Sequence, residues 1–171
     1  MAIVVETGAG LSNADSYLSV DDADTYHTAH GAPTTWSDST DPEKEAALRQ
    51  ATAYLDNRYG PRWVGSRINS TMALAWPRRY VTDRDGYTVD AAAVPRGVKN
   101  ATAYIALKIR EGDTLVPDVD PGANAVAETV TVGAISISSS YSGDPGTSPL
   151  YPQAEMMLRD LIQAAGSVAR A

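Results

Sequence analysis

The chain has 171 residues, 43% of them hydrophobic and 20% charged, which suits one globular domain over 1–171 and excludes a disordered polymer. It has no cysteine, which removes disulfides and thiolate metal sites, and its formal net charge is -7. No run approaches the roughly 18 apolar residues of a membrane span, and "MAIVVETGAG" lacks the basic start of a secretory leader, so synthesis in the cytoplasm with no membrane partner is expected.

Residues 1–18 contain "ETGAGLSNADSYL", rich in glycine and short polar side chains, and read as an extended N-terminal arm. Ser19 then precedes "VDDADTYHTAH", with Asp22 three residues on, a spacing that resembles a capping box. Gly31 is a natural stop, so a short helix is expected over about 20–30, with an acidic first turn that suits the helix dipole. In "STDPEKEAALRQATAYLDNRYG", Thr40 or Asp41 caps a second helix, Pro42 sits in its first turn and Gly60 ends it. Leu48, Ala51, Leu55 and Tyr59 fall on one face, and Glu45 with Arg49 makes an i,i+4 pair.

Residues 60–93 read as a long, ordered connection broken by Gly60-Pro61, Gly65 and Trp76-Pro77. Within it, "TMALAW" suits one helical turn that cannot pass Pro77. Asp85-Gly86 predicts a tight turn with Gly86 at positive φ. A third helix is expected from about Pro95 to Gly112, with Val98, Ala101, Ile105 and Ile109 as its stripe and Tyr104 and Leu107 widening it, so it should be central.

Beyond it, "DTLVPDVDPGAN" reads as loop, and Val130, Val132, Ile135 and Ile137 alternate about Gly133-Ala134, a β-hairpin signal. A last helix follows in "YPQAEMMLRDLIQAA", with Ala154, Leu158, Leu161, Ile162 and Ala165 on one face, and a flexible tail over about 166–171. The expected fold is mainly α: a small bundle of three to four helices with a long ordered connection and a β-hairpin.

No catalytic constellation is apparent. The histidines are His27 and His30, and "GLSNA" departs from a nucleophile elbow at its last position. Asp24, His27 and His30 at i, i+3 and i+6 could bring ligands together, but a metal site needs more donors than these and a supporting shell. "DRDG" in "VTDRDGYTVD" lacks the third acid and the closing glutamate of a calcium loop, and Arg84 adds a cation. The expectation is a protein without catalysis, cofactor or metal.

Charge is unevenly placed. Residues 41–111 carry 12 Lys/Arg against 8 Asp/Glu, a balance of +4, and the remainder stands at -11. Between Asp56 and Asp83 lie five arginines and no acid. Candidate docking residues are therefore Arg58, Arg62, Trp63, Arg67, Trp76, Arg78, Arg79 and Tyr80. Three uses are open to them. They could follow a phosphate backbone and stack bases, although a pI near 4.7 is far from the basic footprint of nucleic-acid domains. They could dock a neighbouring subunit or partner, for which Trp and Arg are favoured. They could serve the fold itself, tryptophans anchoring the connection and arginines pairing internally.

Several segments together resemble a family of tailed-phage head–tail connector proteins, also called adaptor or head-completion proteins: "SNADSYLSVDDADTYH", "DPEKEAALRQATAYLDNRY", "ALAWPRR", "DRDGY", "VPRGVKNATAYIAL" and "YPQAEMMLRDLI". Members of that family often carry the label putative DnaT-like single-stranded DNA-binding protein. The resemblance covers nearly the whole chain and is weakest over 113–150; its most specific pieces are Leu55-Asp56, Ala75–Arg78 and Asp85–Tyr87. It implies a structural virion protein of the head–tail junction, made in the host cytoplasm. Such a protein would form a ring of about twelve subunits that docks under the portal protein after DNA packaging. The ring would present a platform for the tail or a tail-side stopper or terminator, and DNA would pass through it without specific binding. The label implies the alternative, a single-stranded DNA-binding accessory protein.

Overall fold

The computed structural model describes residues 2–116, 127–132, 135–140 and 151–163. Helix α1, Val20–Ala29, starts where Ser19 Oγ accepts the backbone N–H of Asp22 at 3.1 Å. The cap meets a donor that the first turn would otherwise leave unpaired. Gly31, at φ +106, turns the chain out of the helix. A one-turn helix α2, Thr34–Ser37, follows Pro33 and buries Trp36. The sequence reading has no element there.

Helix α3, Asp41–Tyr59, begins with Thr40 donating from both its backbone N–H and its hydroxyl to Glu43 Oε2, each at 2.9 Å. The expected face, Leu48, Ala51, Leu55 and Tyr59, is buried. As expected, the α-helix ends at Gly60, its C-cap residue, which keeps right-handed helical backbone and opens a 3-10 turn, Gly60–Arg62.

Helix α4, Arg96–Arg110, buries Val98, Ala101, Ala103, Ile105 and Ala106 and packs against both α3 and helix α5, Pro152–Leu158. Its central place follows from that run of small and branched side chains, and burying Val98 and Ile105 contributes about 1.5–3 kcal/mol each. Gly97 lets α5 come close: a Cβ there would lie 2.4 Å from the Met157 carbonyl oxygen. Helix α5 is shorter than the sequence pattern suggests. Leu161 and Ile162 are buried, but from an exit segment whose backbone pairs with another part of the chain. The Leu161 carbonyl accepts Val64 N–H at 3.1 Å, and Gln163 N–H donates to the Arg62 carbonyl at 2.7 Å. Those bonds replace further helical ones. Ala165 and the tail 166–171 lie outside the described residues.

The N-terminal segment, expected as an extended arm, folds back on itself and enters the core. Ala14, Ser16, Tyr17 and Leu18 are buried, and Val5 bridges Ser16. Glu6 is buried because its carboxylate accepts three backbone N–H groups, from Gly8 at 2.8 Å, Gly10 at 2.9 Å and Leu11 at 2.8 Å. A charge taken out of water persists only with such partners.

The connection 60–93 is ordered, but "TMALAW" forms bends rather than a helical turn. Within it, a loop over 68–77 is closed by strands β1, Ser66–Arg67, and β2, Arg78–Arg79, paired antiparallel with Ser66 opposite Arg79. Asn69 holds the interior of that loop: its side-chain oxygen accepts Thr71 N–H at 3.0 Å and Met72 N–H at 2.8 Å. Such local polar bonds satisfy the backbone that a helix would have used.

Strands β3, Ala127–Val132, and β4, Ile135–Ser140, form an antiparallel hairpin with Val130 opposite Ile137 and Val132 opposite Ile135. The architecture is thus mainly α with small two-stranded ladders, as the residues indicate. The chain forms two compact units, Met1–Asp113 with Tyr151–Ala171, and Thr114–Leu150.

Candidate functional site

The basic, aromatic run 58–80 is held by one buried polar junction. Tyr17, fully buried, donates its hydroxyl to Asp56 Oδ1 at 2.5 Å. The same hydroxyl accepts backbone N–H from Ala75 at 3.0 Å and Trp76 at 3.2 Å, and Asp56 Oδ2 accepts Ala75 N–H at 2.9 Å. The N-terminal segment, α3 and the connection therefore meet at two side chains. Burial pushes the Tyr17 hydroxyl far above its ordinary value, with Asp56 adding to the shift. Burial also raises Asp56, opposed by the hydrogen bonds from Tyr17 and Ala75.

Trp76 and Trp63 are buried edge to face, centroids 5.6 Å apart, with Tyr59 5.9 Å from Trp63. The Trp76-Pro77 peptide bond is cis. Both tryptophans are among the candidate docking residues. They fill the core beside α3, Trp76 with no exposed surface and Trp63 with 4%.

Several of the arginines are also turned to the chain's own backbone. Arg78 donates from Nε to the Val64 carbonyl at 2.7 Å, from Nη2 to the Gly65 carbonyl at 2.7 Å and from Nη1 to the Ala75 carbonyl at 3.3 Å. Burial holds its guanidinium below the ordinary arginine value. Arg67 donates to the Met72 carbonyl and Arg79 to the Ile68 carbonyl. Arg62 ties the 3-10 turn to α5, reaching Glu155 Oε1 at 2.8 Å and the Gln163 carbonyl at 3.1 Å. It also lies over the Tyr59 ring, 5.7 Å from its centroid. A planar fork with five donors suits this bracing of adjacent carbonyls. Of the eight candidates, Arg58, Arg67, Arg79 and Tyr80 are exposed, and of these Arg58 and Tyr80 have no such hydrogen bond among the described residues.

Tyr80 is 82% exposed and adopts φ +61, which a bulky residue rarely takes. Beyond it, Asp83 Oδ1 accepts Asp85 N–H at 3.0 Å and Tyr87 N–H at 2.8 Å, with Gly86 at φ +87. The aspartate's oxygen is spent on the turn, the arrangement expected of Asp85-Gly86 as a turn.

A half-open cavity of about 250 Å³ lies between α1 and α2, lined by Asp24, His27, Trp36 and Lys44 among others. Sequence reasoning passed over Lys44 and Trp36. The signal was available as a lysine on the apolar side of α3 and a tryptophan after a Pro-Thr-Thr cap. Lys44 is buried and pairs with Asp24 Oδ1 at 2.9 Å, and Trp36 Nε1 donates to the same oxygen at 2.7 Å. Asp24 thus already has a cation, which opposes a second one. His27 is buried against Trp36, and burial lowers it to about 4. His30 points elsewhere, its Nδ1 2.7 Å from the Tyr26 carbonyl. Among the described residues no group of three His, Cys, Asp or Glu is placed to hold a metal ion, and no helix is long and apolar enough to cross a membrane.

The family model described as "Putative DnaT-like ssDNA binding protein" matches residues 1–171. The chain belongs to that family. No curated protein and no solved structure matches it. The match to the DnaT-like family spans every segment that forms the buried junction, from Tyr17 through Asp56 to Trp76.

Proposed function

We propose that this member of the DnaT-like family is a structural head–tail adaptor, a ring that docks on the portal after packaging and carries the tail or its stopper. The observation that carries this reading is the inward commitment of the arginines. Arg62, Arg67, Arg78 and Arg79 are bonded to the subunit's own carbonyls or carboxylate in a chain of net charge -7. Tight binding of a phosphate backbone needs several free cations without competing anions. A ring through which DNA slides needs the opposite, a surface without strong phosphate contacts. Portal protein, neighbouring copies and the tail-side stopper or terminator are its partners in this reading, and the virion neck is its place.

The test adds purified protein to portal-bearing, DNA-filled heads and measures the bound mass. About twelve copies per head is the expected result; absence of binding would sink the reading. A second reading, single-stranded DNA binding, is favoured by the family's description and by the exposed aromatics Tyr80 and Tyr87, which could stack bases. It requires oligonucleotide affinity that falls steeply with salt.

A further inference from the structure

The hairpin of the smaller unit, Thr114–Leu150, is a sheet of two strands among the described residues, so β3 and β4 are both edges. A two-stranded hairpin is marginally stable in water, and a further strand is one remedy. Proteins that keep an edge single blunt it with lysine, proline or a bulge. None of these is present here. Residues 127–140 hold no lysine, no proline and one charge, Glu128. The pairing runs unbroken from Ala127 opposite Ser140 to Val132 opposite Ile135.

The register fixes which backbone groups the edges offer. Two residues separate the strands, so Val132 and Ile135 exchange backbone hydrogen bonds, and alternation makes Val130 with Ile137 and Glu128 with Ser139 the next such pairs. The residues between them turn their N–H and C=O groups outwards: Ala127, Thr129 and Thr131 on β3, and Ser136, Ser138 and Ser140 on β4. Both edges thus present unused donors and acceptors on small, uncharged residues, which let another strand approach.

One kind of occupant satisfies both edges. A foreign strand added to β3 leaves β4 open. A second copy brings its own β3 to the first copy's β4, and a closed ring of copies leaves no edge. Strand direction agrees. Rotation about a ring axis keeps the sense of each strand along that axis, so β4 of one copy meets β3 of the next antiparallel, the relation the two strands already have within the chain. Threonine opposite serine is also a favourable cross-strand pair.

We infer that the β4 edge of each copy pairs with the β3 edge of a second copy of this chain, by strand addition. This names the subunit contact of the proposed ring and rests on the adaptor reading. Proline tests it, because at an outward position it removes a donor to the neighbour and no bond within the hairpin. The full-length variants are Thr129→Pro on β3, Ser138→Pro on β4 and the two together, added to portal-bearing, DNA-filled heads.

Each single variant should need at least about tenfold more protein than wild type to half-fill the heads. The double variant should need no more than the single ones, since both substitutions break one shared ladder. Wild-type loading by either single variant, or a double variant whose shift is the product of the two, would overturn the contact while leaving the adaptor reading intact. A measurement on the wild-type chain guards against variants that misfold. Amide exchange at Thr129, Thr131, Ser136 and Ser138 should be fast in the free chain and at least about a hundredfold slower on heads. Equal rates would overturn the contact, and wild-type protein that never loads on heads overturns both readings.

Discussion

The Tyr17 hydroxyl donates to Asp56 Oδ1 at 2.5 Å while accepting the backbone N–H groups of Ala75 and Trp76. Tyr17→Phe removes one donor to a buried carboxylate and one acceptor for two buried amides. The loss should be about 1–3 kcal/mol, since unsatisfied buried groups carry their full desolvation cost. Urea unfolding monitored by tryptophan fluorescence measures it. A midpoint unchanged from wild type would mean that the junction is not a fixed part of the core.

His27 predicts a pH dependence. Burial lowers its pKa to about 4; the Ala103 carbonyl and Asp24 oppose the shift, and His30 and Lys44 reinforce it. The aromatic faces of Tyr26 and Trp36 complete its surroundings. The unfolded chain takes up this proton near pH 6.5. Between about 6.5 and 4 the unfolded state binds more protons, so stability is complete above 6.5 and falls as pH drops through that window. The loss should be roughly 3 kcal/mol by about pH 4. His27→Gln should flatten the wild-type slope over the same range. Equal slopes for the two proteins in thermal melts at stepped pH would refute the assignment.

Gly97 separates two opposing effects. Alanine is favoured over glycine inside a helix by about 1 kcal/mol. A Cβ at this position, however, would stand 2.4 Å from the Met157 carbonyl oxygen, which is backbone and cannot rotate away. The clash should win, with Gly97→Ala destabilising by about 1–3 kcal/mol net. A stabilised variant would show that α4 and α5 pack less closely than this.

The sequence makes α3, α4 and the β3–β4 hairpin legible because each combines a period with a stop. Leu48, Ala51 and Leu55 repeat at helical spacing, and Val130 to Ile137 alternate about Gly133-Ala134. The fold of residues 1–18 is not legible in this way, because Glu6 and Tyr17 are fixed by backbone groups that periodicity does not register. The exit from α5 is hidden for the same reason: Leu161 keeps the helical pattern, yet its carbonyl pairs with Val64. Of the candidate site, composition identifies the residues but not their direction. Arginines beside tryptophans read equally well as outward contacts or inward braces, and only the positions of the Val64, Gly65 and Ala75 carbonyls decide for Arg78.

Arg78 and Arg58 therefore should part company under charge reversal. Arg78→Glu would replace a fork bonded to three carbonyls with a carboxylate facing the same oxygens, beside the buried Asp56 junction. Two effects add, the loss of charge-assisted hydrogen bonds and repulsion in a partly buried place, for a cost of about 2–4 kcal/mol. Arg58→Glu alters an exposed side chain at the end of α3 and should change stability by less than about 0.5 kcal/mol. Denaturant midpoints of both variants provide the comparison, and loading on heads is interpretable only for the one that stays folded. If Arg78→Glu proved as stable as wild type, its guanidinium would be free to serve a partner, and the case for inward-committed arginines would lose its central member.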